Sequence, residues 1–385
     1  MPMDYFTPEQ HTFQQTVRDF FEKEVNPHVD EWEKQGIFPA HQVFKRCGEL
    51  GFLGITYDPK YGGSGLDYWW TVAFAEAMGS ACVCSGIPMA IMVQTDMCTP
   101  ALHEFGSEEL KERFLVPSIQ GEMVGAIGVT EPSAGSDVFG IQTSARRDGD
   151  HYVINGRKIF ITNGTQADYV TTLVKTDKDA AHHGFSLIVV PTSTPGFQVA
   201  RKLDKVGNLS SDTAELVYED VRVPVANRIG DEGMGFIYQM RQFQKERMVA
   251  AVGAVAGAQK ALDITAEYLK QREAFGKPLI AKQYIQFKLA ELSTQLELAR
   301  QLNYHCARMI AANEDCVRET SMAKLASCRL SREVADWCVQ FHGGYGYMDE
   351  YRISRYWRDS RLGSIGGGAD EVMMYIIAKL ENYAA

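Results

Sequence analysis

Three stretches of the chain differ in the spacing of their apolar residues. Up to about residue 120, apolar positions recur every three or four residues, as on one face of a helix. Between about 121 and 232, short runs of β-forming residues are separated by Gly and Pro, which favours strands. After Gly235 the helical spacing returns and continues to the end. The pattern therefore predicts a helical domain, a β domain and a second helical domain.

The first helical region, which we expect to span residues 1–120, carries clear local signals. Residues 7–10 have the form of a capping box, with Pro8 at the first helical position. Pro27 is expected to end that helix. Residues 69–97 are rich in Ala, Met, Cys and Val, which predicts a buried helix or helix pair.

The middle region predicts a small antiparallel β domain over residues 121–232. β-forming residues flank Asn155-Gly156, so a hairpin is predicted over 152–161. Further strands are predicted in three places: 169–174, 185–190, and 214–218 leading into 221–223.

The last region, residues 233–385, predicts a C-terminal four-helix bundle. Long helices are expected at 246–271, 283–312 and 322–341, and a final helix near Asp370. The predicted fold class is α+β, with an all-α N-terminal domain, an antiparallel β domain and a helical bundle.

Composition removes several classes of function. The 385 residues include 39 Lys and Arg against 49 Asp and Glu, a net charge of −10 that argues against nucleic-acid or membrane-surface partners. The eight cysteines form no C-x-x-C motif, which indicates free thiols in a reducing compartment, and the histidines lack metal-ligand spacing. No apolar run suits a membrane span, and no signal peptide is visible. We expect a cytoplasmic protein, with a processed mitochondrial matrix chain as the alternative.

Two stretches at the ends of predicted strands could carry chemistry. Residues 129–137 combine small residues, which let the backbone approach a ligand, with Thr and Ser hydroxyls. Phe160 and Thr162 could pack against a flat ring and hydrogen-bond its edge. A surface loop and a strand ending in a turn have the same composition, so both interpretations stay open.

A third stretch, residues 340–373, contains two glycine clusters at 343–346 and 366–368 around Arg358-Asp359. This arrangement suggests helix ends that converge on a polar group. Glycine helix caps beside a structural ion pair are the alternative. The chain contains no glycine pattern of a Rossmann or P-loop nucleotide site.

These stretches resemble both signature regions of the FAD-dependent acyl-CoA dehydrogenases, and residues 154–164 and 272–277 match further motifs of that family. The resemblance covers essentially the whole chain. It implies a homotetrameric flavoprotein that desaturates an acyl-CoA thioester to the trans-2-enoyl-CoA. A carboxylate removes the α proton, the β hydrogen leaves as hydride, and the electrons pass to an electron-transfer flavoprotein.

The resemblance also implies roles for individual residues. Phe160 stands where many members have Trp, and either ring can pack on a flavin. Residues that match cofactor-binding positions are Val129, Thr130, Gly135, Ser136, Phe160, Thr162, Arg272, Phe275, Gln283, Gln340, Gly343, Gly344 and Glu371. Among them, those that match residues reaching the FAD of a neighbouring subunit are Arg272, Gln283, Gln340 and Gly344. Substrate positions are matched by Ser136, Arg247, Gly367 and Gly368.

The general base departs from the commonest family pattern. Gly367 stands where many members carry the catalytic glutamate, and glycine cannot move a proton. A minority branch, including the isovaleryl-CoA and long-chain enzymes, has its base in a context like residues 244–247, so Glu246 is the candidate. An exposed carboxylate at a helix start is the alternative for Glu246. Glu371 competes as a base but matches a cofactor-side position. Gly367 can still donate its backbone N–H to the thioester oxygen.

The substrate is less specified than the reaction. Residues 201–205, 210–214 and 364–373 resemble citronellyl-CoA dehydrogenases, which implies a medium, long or methyl-branched acyl chain. The residues that line the acyl tunnel are expected among 77–99. Alternatives are an acyl-CoA oxidase or a flavin monooxygenase on the same fold, or a non-catalytic scaffold.

Overall fold

The computed structural model describes residues 4–383. The chain folds into a helical part, an eight-stranded sheet and a second helical part, which confirms the predicted order. The helices that precede the sheet are α1 Pro8–Phe20, α2 Val29–Gln35, α3 Ala40–Glu49, α4 Tyr68–Ala81, α5 Gly86–Met92, α6 Pro100–Phe105, α7 Glu108–Leu110 and α8 Val116–Ile119.

Local signals at the start of the chain are confirmed. The backbone N–H of Gln10 donates to Thr7 Oγ1 at 3.3 Å, and the N–H of Thr7 donates to Gln10 Oε1 at 2.9 Å, which closes the predicted capping box. Helix α1 ends at Phe20, earlier than expected, because a π-helical turn Phe21–Val25 follows it. Helices α4 and α5 are the predicted buried pair.

The sheet is antiparallel except around β4, which pairs in parallel with β1 and, at the single pair Ser144 and Lys175, with β2. Its order is β6-β7-β3-β2-β4-β5-β8, and β1 pairs in parallel with β4. The prediction of an antiparallel domain is therefore wrong for β1. That strand follows the last N-terminal helix, and the β2–β3 hairpin supplies the long connection that a parallel pair needs. The strands are β1 Gly125–Gly128, β2 Ser144–Asp148, β3 His151–Thr162, β4 Tyr169–Lys175, β5 Phe185–Pro191, β6 Phe197–Lys202, β7 Thr213–Pro224 and β8 Arg228–Ile229.

The predicted hairpin at Asn155-Gly156 is wrong. Strand β3 runs straight through this dipeptide, and the hairpin instead joins β2 to β3 where Asp148 pairs with His151. Gly156 lies at an irregularity in the pairing with β7, and a Cβ there would meet Thr143 Oγ1 at 2.3 Å. The glycine is thus needed for a close approach between neighbouring strands rather than for a turn.

The second helical part is a bundle built around one long helix. Helix α9 has 37 residues and begins eleven residues before the predicted start at 246. The final helix starts at Asp370 as predicted, whereas the short helix α12 was not expected. The elements are α9 Gly235–Gln271, β9 Glu273–Ala274, β10 Lys277–Pro278, α10 Gln283–Ala311, α11 Val317–His342, α12 Arg352–Ser360 and α13 Asp370–Leu380. Within residues 4–383, no helix combines the length and apolarity needed to cross a bilayer.

Two close approaches bring the three parts together. Helix α4 crosses α9 so tightly that a Cβ on Gly79 would lie 2.8 Å from the carbonyl oxygen of Gly253. The buried Asn163, at the end of β3, donates through Nδ2 to the carbonyls of Ala90 in α5 and Gly125 in β1, at 3.0 and 3.2 Å. The end of β3 is therefore fixed to the helix pair that precedes the sheet.

Candidate active site

The loop that starts at Val129 is fastened to strand β3 by a buried ion pair. Lys158 Nζ donates to Glu131 Oε1 at 2.9 Å and to the carbonyl of Val129 at 3.0 Å. The N–H of Ile159 donates to the carbonyl of Thr130 at 2.9 Å. Both charged side chains of the pair are buried. The two sequence motifs, at 129–137 and 160–164, thus form one structural unit.

Glu131 also closes the far end of this loop. Its carboxylate accepts the N–H groups of Gln142 and Thr143 at 2.6 and 2.9 Å. Burial by itself would raise the pKa of Glu131, but the Lys158 ammonium and these hydrogen bonds outweigh it and lower the pKa. Glu131 is therefore held as a carboxylate, and the loop has one set position.

Phe160 presents an open aromatic face beside this unit. It is 66% exposed and has φ of +61°, next to an irregularity in the pairing of β3 with β7. Such a backbone conformation is uncommon for a bulky residue and turns its side chain out of the sheet. Around Gly135 no atom lies within 4 Å of a would-be Cβ, and Ser136 is exposed. A flat ring system can therefore reach this face without displacing the chain.

Glu246 is buried in the interior of α9. It is the twelfth residue of the helix and only 7% exposed, so its predicted place at a helix start is wrong and the exposed-carboxylate alternative fails. Burial raises the pKa of Glu246 to about 7, with a further contribution from the negative charge of Asp96. The positive charges of Arg247 and Lys324 oppose the rise. A carboxylate with this pKa is a competent base near neutral pH.

Gly367 faces that carboxylate. A Cβ on Gly367 would lie 3.5 Å from Glu246 Oε1, so the position that has lost a side chain and the candidate base share one space. Gly367 has φ of +60°, which strains any residue except glycine. Two carboxylates at this separation would repel each other, and one would stay protonated. The absence of a carboxylate at position 367 and its presence at position 246 are therefore physically linked.

Two positively charged side chains, Arg247 and Lys324, lie close to Glu246 and Gly367. Lys324 Nζ, buried in α11, donates to the carbonyl of Gly368 and holds the glycine loop in place. Arg247 Nε is buried and has no hydrogen-bond partner among residues 4–383. It lies 3.8 Å from a would-be Cβ on Gly368. An unpaired buried guanidinium N–H is available to donate to a ligand oxygen.

A cavity begins one helical turn from Glu246. Ala250, four residues further along α9, lines it, together with Met89 and Met92 from α5. Its empty volume is about 1060 Å³, part of it open to solvent. The expected tunnel segment 77–99 supplies much of the wall, from Met78 to Met92. The lining is mainly apolar, as a site for an acyl chain requires.

Apart from Glu371, the remaining predicted residues lie near the C-terminal end of α9. Phe275 is 95% exposed at the tip of the small β9–β10 hairpin. Arg272 stands 6.0 Å from the ring centre of Tyr345, beside the glycines that end α11. From Glu246 to Arg272 the helix rises about 39 Å. One chain therefore does not bring these residues to Glu246. Exposed members of this group are Arg272, Phe275, Gln283, Gln340, Gly343 and Gly344, and Glu371 is exposed at the start of α13.

Sequence reasoning gave no role to Lys158, Lys324 or Asp96. A signal existed for Lys324, because it is a lone cation among the otherwise apolar residues 322–326. Lys158 follows Arg157, and this pair of cations at the start of the apolar residues 159–161 gave no clear signal of burial. Asp96 had no comparable signal, because a single acidic residue after Thr95 reads as a surface position. Its proximity to Glu246 depends on how the π-helical turn Val93–Cys98 docks on α9.

Comparison with known proteins gives matches over nearly the whole chain. Family models described as the N-terminal, middle and C-terminal domains of acyl-CoA dehydrogenase match residues 7–122, 126–221 and 233–380. The probable acyl-CoA dehydrogenase YngJ of Bacillus subtilis is 40% identical, over 97% of this chain and 98% of that protein.

The chain belongs to the acyl-CoA dehydrogenase family.

Two further relatives carry more specific names. The mitochondrial long-chain specific acyl-CoA dehydrogenase of Sus scrofa is 39% identical, over 97% of this chain and 86% of that protein. A solved structure titled for the electron transferring flavoprotein of Acidaminococcus fermentans has a TM-score of 0.94 and 36% identity, over 98% of this chain and 99% of that one. The protein is thus an oxidoreductase of acyl-CoA thioesters.

The acyl-CoA dehydrogenases depend on FAD, and this chain fits that cofactor. Phe160 offers a ring face, and Gly135 and Ser136 leave open backbone and a hydroxyl beside it. Thr162, half-buried two residues further on, offers a second hydroxyl. These residues would hold the flavin ring, which supplies the hydride acceptor when the cofactor is bound.

Proposed function

We propose that this acyl-CoA dehydrogenase uses Glu246 as its general base. The observation that carries the proposal is the burial of Glu246 opposite Gly367, with a pKa raised to about 7. A proton at the α carbon of a thioester needs a base of this kind, held out of water and matched to neutral pH.

Neighbouring groups offer hydrogen-bond donors to the substrate on which Glu246 acts. The backbone N–H of Gly367 lies on the loop that Lys324 holds through Gly368, and it is suited to stabilise negative charge on the thioester oxygen. The free Nε of Arg247 offers a second donor to the substrate. Glu246 takes the α proton at its carboxylate, and burial keeps water away from the site during that step.

Glu246→Gln tests the base directly. We expect kcat to fall by roughly 100- to 10,000-fold, because the amide cannot accept the proton, while FAD stays bound. Turnover with an artificial electron acceptor and the flavin absorbance measure both. The matched control is Glu267→Gln, an exposed glutamate on the same helix, which should keep full turnover. Near-normal turnover of Glu246→Gln with bound FAD would eliminate Glu246 as the base.

A second variant separates a lost base from a damaged fold. Because position 367 faces Glu246, a carboxylate moved there reaches the same space. We expect Glu246→Gly combined with Gly367→Glu to recover at least about tenfold of the activity that Glu246→Gly loses, within the range of general-base effects. No recovery in a folded, FAD-containing protein would show that the two positions are not interchangeable.

For the substrate we propose a medium, long or methyl-branched acyl chain of the citronellyl type. Family membership leaves the length of the acyl chain open. The support for this choice comes from the cavity. The part of its α9 wall nearest Glu246 is built from small residues, Ala250, Gly253, Ala254 and Gly257, and the lining as a whole is mainly apolar. The space that a side chain at 367 would occupy is also free.

Ala254→Phe tests the chain-length proposal by filling the cavity. We expect kcat/KM for long or branched acyl-CoA to fall at least about tenfold, while a four-carbon substrate, which should end before position 254, is little affected. A panel of straight and branched thioesters on both proteins gives the comparison. An equal loss for all chain lengths would show that Ala254 does not line the acyl site.

We further propose that electrons pass to an electron-transfer flavoprotein and that the enzyme is a homotetramer. Exposed aromatic residues on α10 and the β9–β10 hairpin, Phe275, Tyr284 and Phe287, support an interface between subunits.

The alternative to the electron-transfer flavoprotein as electron acceptor is oxygen. Fast reoxidation of the substrate-reduced enzyme in air, with release of peroxide, would favour the oxidase.

A further inference from the structure

Cys82 and Cys84 place two thiols side by side in the cavity wall. They stand on the linker between α4 and α5, with their Sγ atoms 3.7 Å apart. All eight cysteines are free and buried. Within residues 4–383 this is the one thiol–thiol contact of the structure. Both residues line the large cavity, so a small molecule in that cavity can reach them.

The linker backbone is held from three sides without the use of either sulfur. Arg352 Nη2 donates to the carbonyl of Cys82 at 2.9 Å, and the N–H of Val83 donates to Asn26 Oδ1 at 3.0 Å. The N–H of Ser85 donates to Asp359 Oδ2 at 2.9 Å. The two thiols are therefore preorganised as a pair by elements outside the linker.

The two sulfurs differ in their surroundings. Ser210 Oγ donates to Cys84 Sγ at 3.3 Å. The hydrogen bond from the Cys82 thiol, together with that from Ser210, lowers the pKa of Cys84 although it is buried. Burial raises the pKa of Cys82. Cys84 is therefore the better nucleophile of the pair, and Cys82 is placed to react with it afterwards.

We propose that Cys82 and Cys84 form a dithiol modification site that a hydroperoxide oxidises to a disulfide. The sulfur of Cys84 attacks the outer peroxide oxygen, the O–O bond breaks, and an alcohol leaves with one proton. Cys84 is then a sulfenic acid. The sulfur of Cys82 displaces its oxygen as water and forms the S–S bond. Two thiols lose two hydrogens, and the hydroperoxide is reduced to alcohol and water.

Closure requires only a local movement. A disulfide bond is about 2.05 Å long, so the two sulfurs must approach from 3.7 Å within one three-residue segment of the linker. The disulfide would change the wall of the cavity where we place the acyl chain. That consequence rests on the proposed function, whereas the thiol chemistry does not.

The test maps thiols in the full-length, FAD-bound enzyme. After limited treatment with hydrogen peroxide, we expect Cys82 and Cys84 to lose alkylation together, a loss of two hydrogens in the peptide that contains both, and full recovery with dithiothreitol. Phenylarsine oxide should bind one per chain and be released by a dithiol but not by a monothiol. Independent alkylation of the two thiols after peroxide would overturn the proposal.

Three variants sharpen this test. Cys328 lines the same cavity but has no thiol partner among the described residues, so Cys328→Ser should keep both the arsenical capture and the paired loss of alkylation after peroxide. Cys84→Ser should lose arsenical capture and peroxide reactivity. Cys82→Ser should stop at a sulfenic acid on Cys84, which dimedone traps. A disulfide or arsenical site that depends on Cys328 would contradict the assignment.

Protection by ligand separates this proposal from the proposed function. If the acyl chain occupies the cavity, saturating acyl-CoA should slow oxidation of the pair at least about tenfold. Oxidation at an unchanged rate in the presence of acyl-CoA would contradict the placement of the acyl chain. The dithiol site would stand in that case, since its mapping involves no turnover.

Discussion

Two groups of predicted site residues, around Glu246 inside helix α9 and around Arg272 just after its C-terminal end, are built in different ways. At Glu246 the side chains are buried and compensated within one chain, by Arg247, Lys324 and the glycine loop. At Arg272 and Phe275 they are exposed. A buried charge must find its partners in the same fold, whereas an exposed aromatic residue has stable contacts only when another molecule covers it. The first group is therefore complete in one chain, and the second is expected to need a neighbouring subunit.

The largest effect should come from breaking the buried ion pair between Lys158 and Glu131. Lys158→Met leaves Glu131 as an unpaired buried carboxylate, which we expect to cost about 3–5 kcal/mol of unfolding free energy. The matched control is Lys45→Met, which breaks an exposed pair with Glu122 and should cost less than about 1 kcal/mol. Denaturant unfolding of both variants gives the comparison. Equal costs would mean that burial does not set the cost of breaking an ion pair in this protein.

The second effect concerns the charge of Glu246. Its folded-state pKa, about 7, lies above the ordinary value of 4.5, so the unfolded chain ionises first as pH rises. The free energy of unfolding therefore falls between about pH 4.5 and pH 7, and above pH 7 the loss due to Glu246 reaches about 3 kcal/mol. Glu246→Gln should remove this loss and be more stable than the natural protein at pH 8, with little difference at pH 4. Thermal unfolding at both pH values measures it, and a destabilised variant at pH 8 would contradict the raised pKa.

The smallest effect should come from the exposed group. Phe275→Ala removes a ring with few contacts of its own, so unfolding should change by less than about 0.5 kcal/mol. If a neighbouring subunit places this ring on its FAD, cofactor affinity should fall by about 1–2 kcal/mol. Flavin retention after dialysis reports it. The control is Val206→Ala, which is 80% exposed and outside the site. Unchanged flavin retention in Phe275→Ala would contradict a contact between this ring and the FAD of a neighbouring subunit.

Local sequence signals predicted local structure well. The capping box at Thr7, the buried pair α4 and α5, and the start of α13 depend on residues within a few positions of each other. The turn predicted at Asn155-Gly156 is wrong, because the same dipeptide suits either a turn or a close approach between strands. Only the position of Thr143, which lies against Gly156, decides between the two. The parallel pairing of β1 likewise depends on residues more than forty positions away.

The sequence by itself determined the order of the three parts, the motifs that carry the family resemblance and the loss of a carboxylate at Gly367. Only the tertiary structure decided that Glu246 is buried, that it faces Gly367, and that Lys158, Lys324 and the Cys82–Cys84 pair stand where they do. The physical reason is the distance along the chain over which each effect acts. Helix caps and hydrophobic spacing act between near neighbours in the chain, whereas burial and its effect on pKa depend on contacts between distant segments.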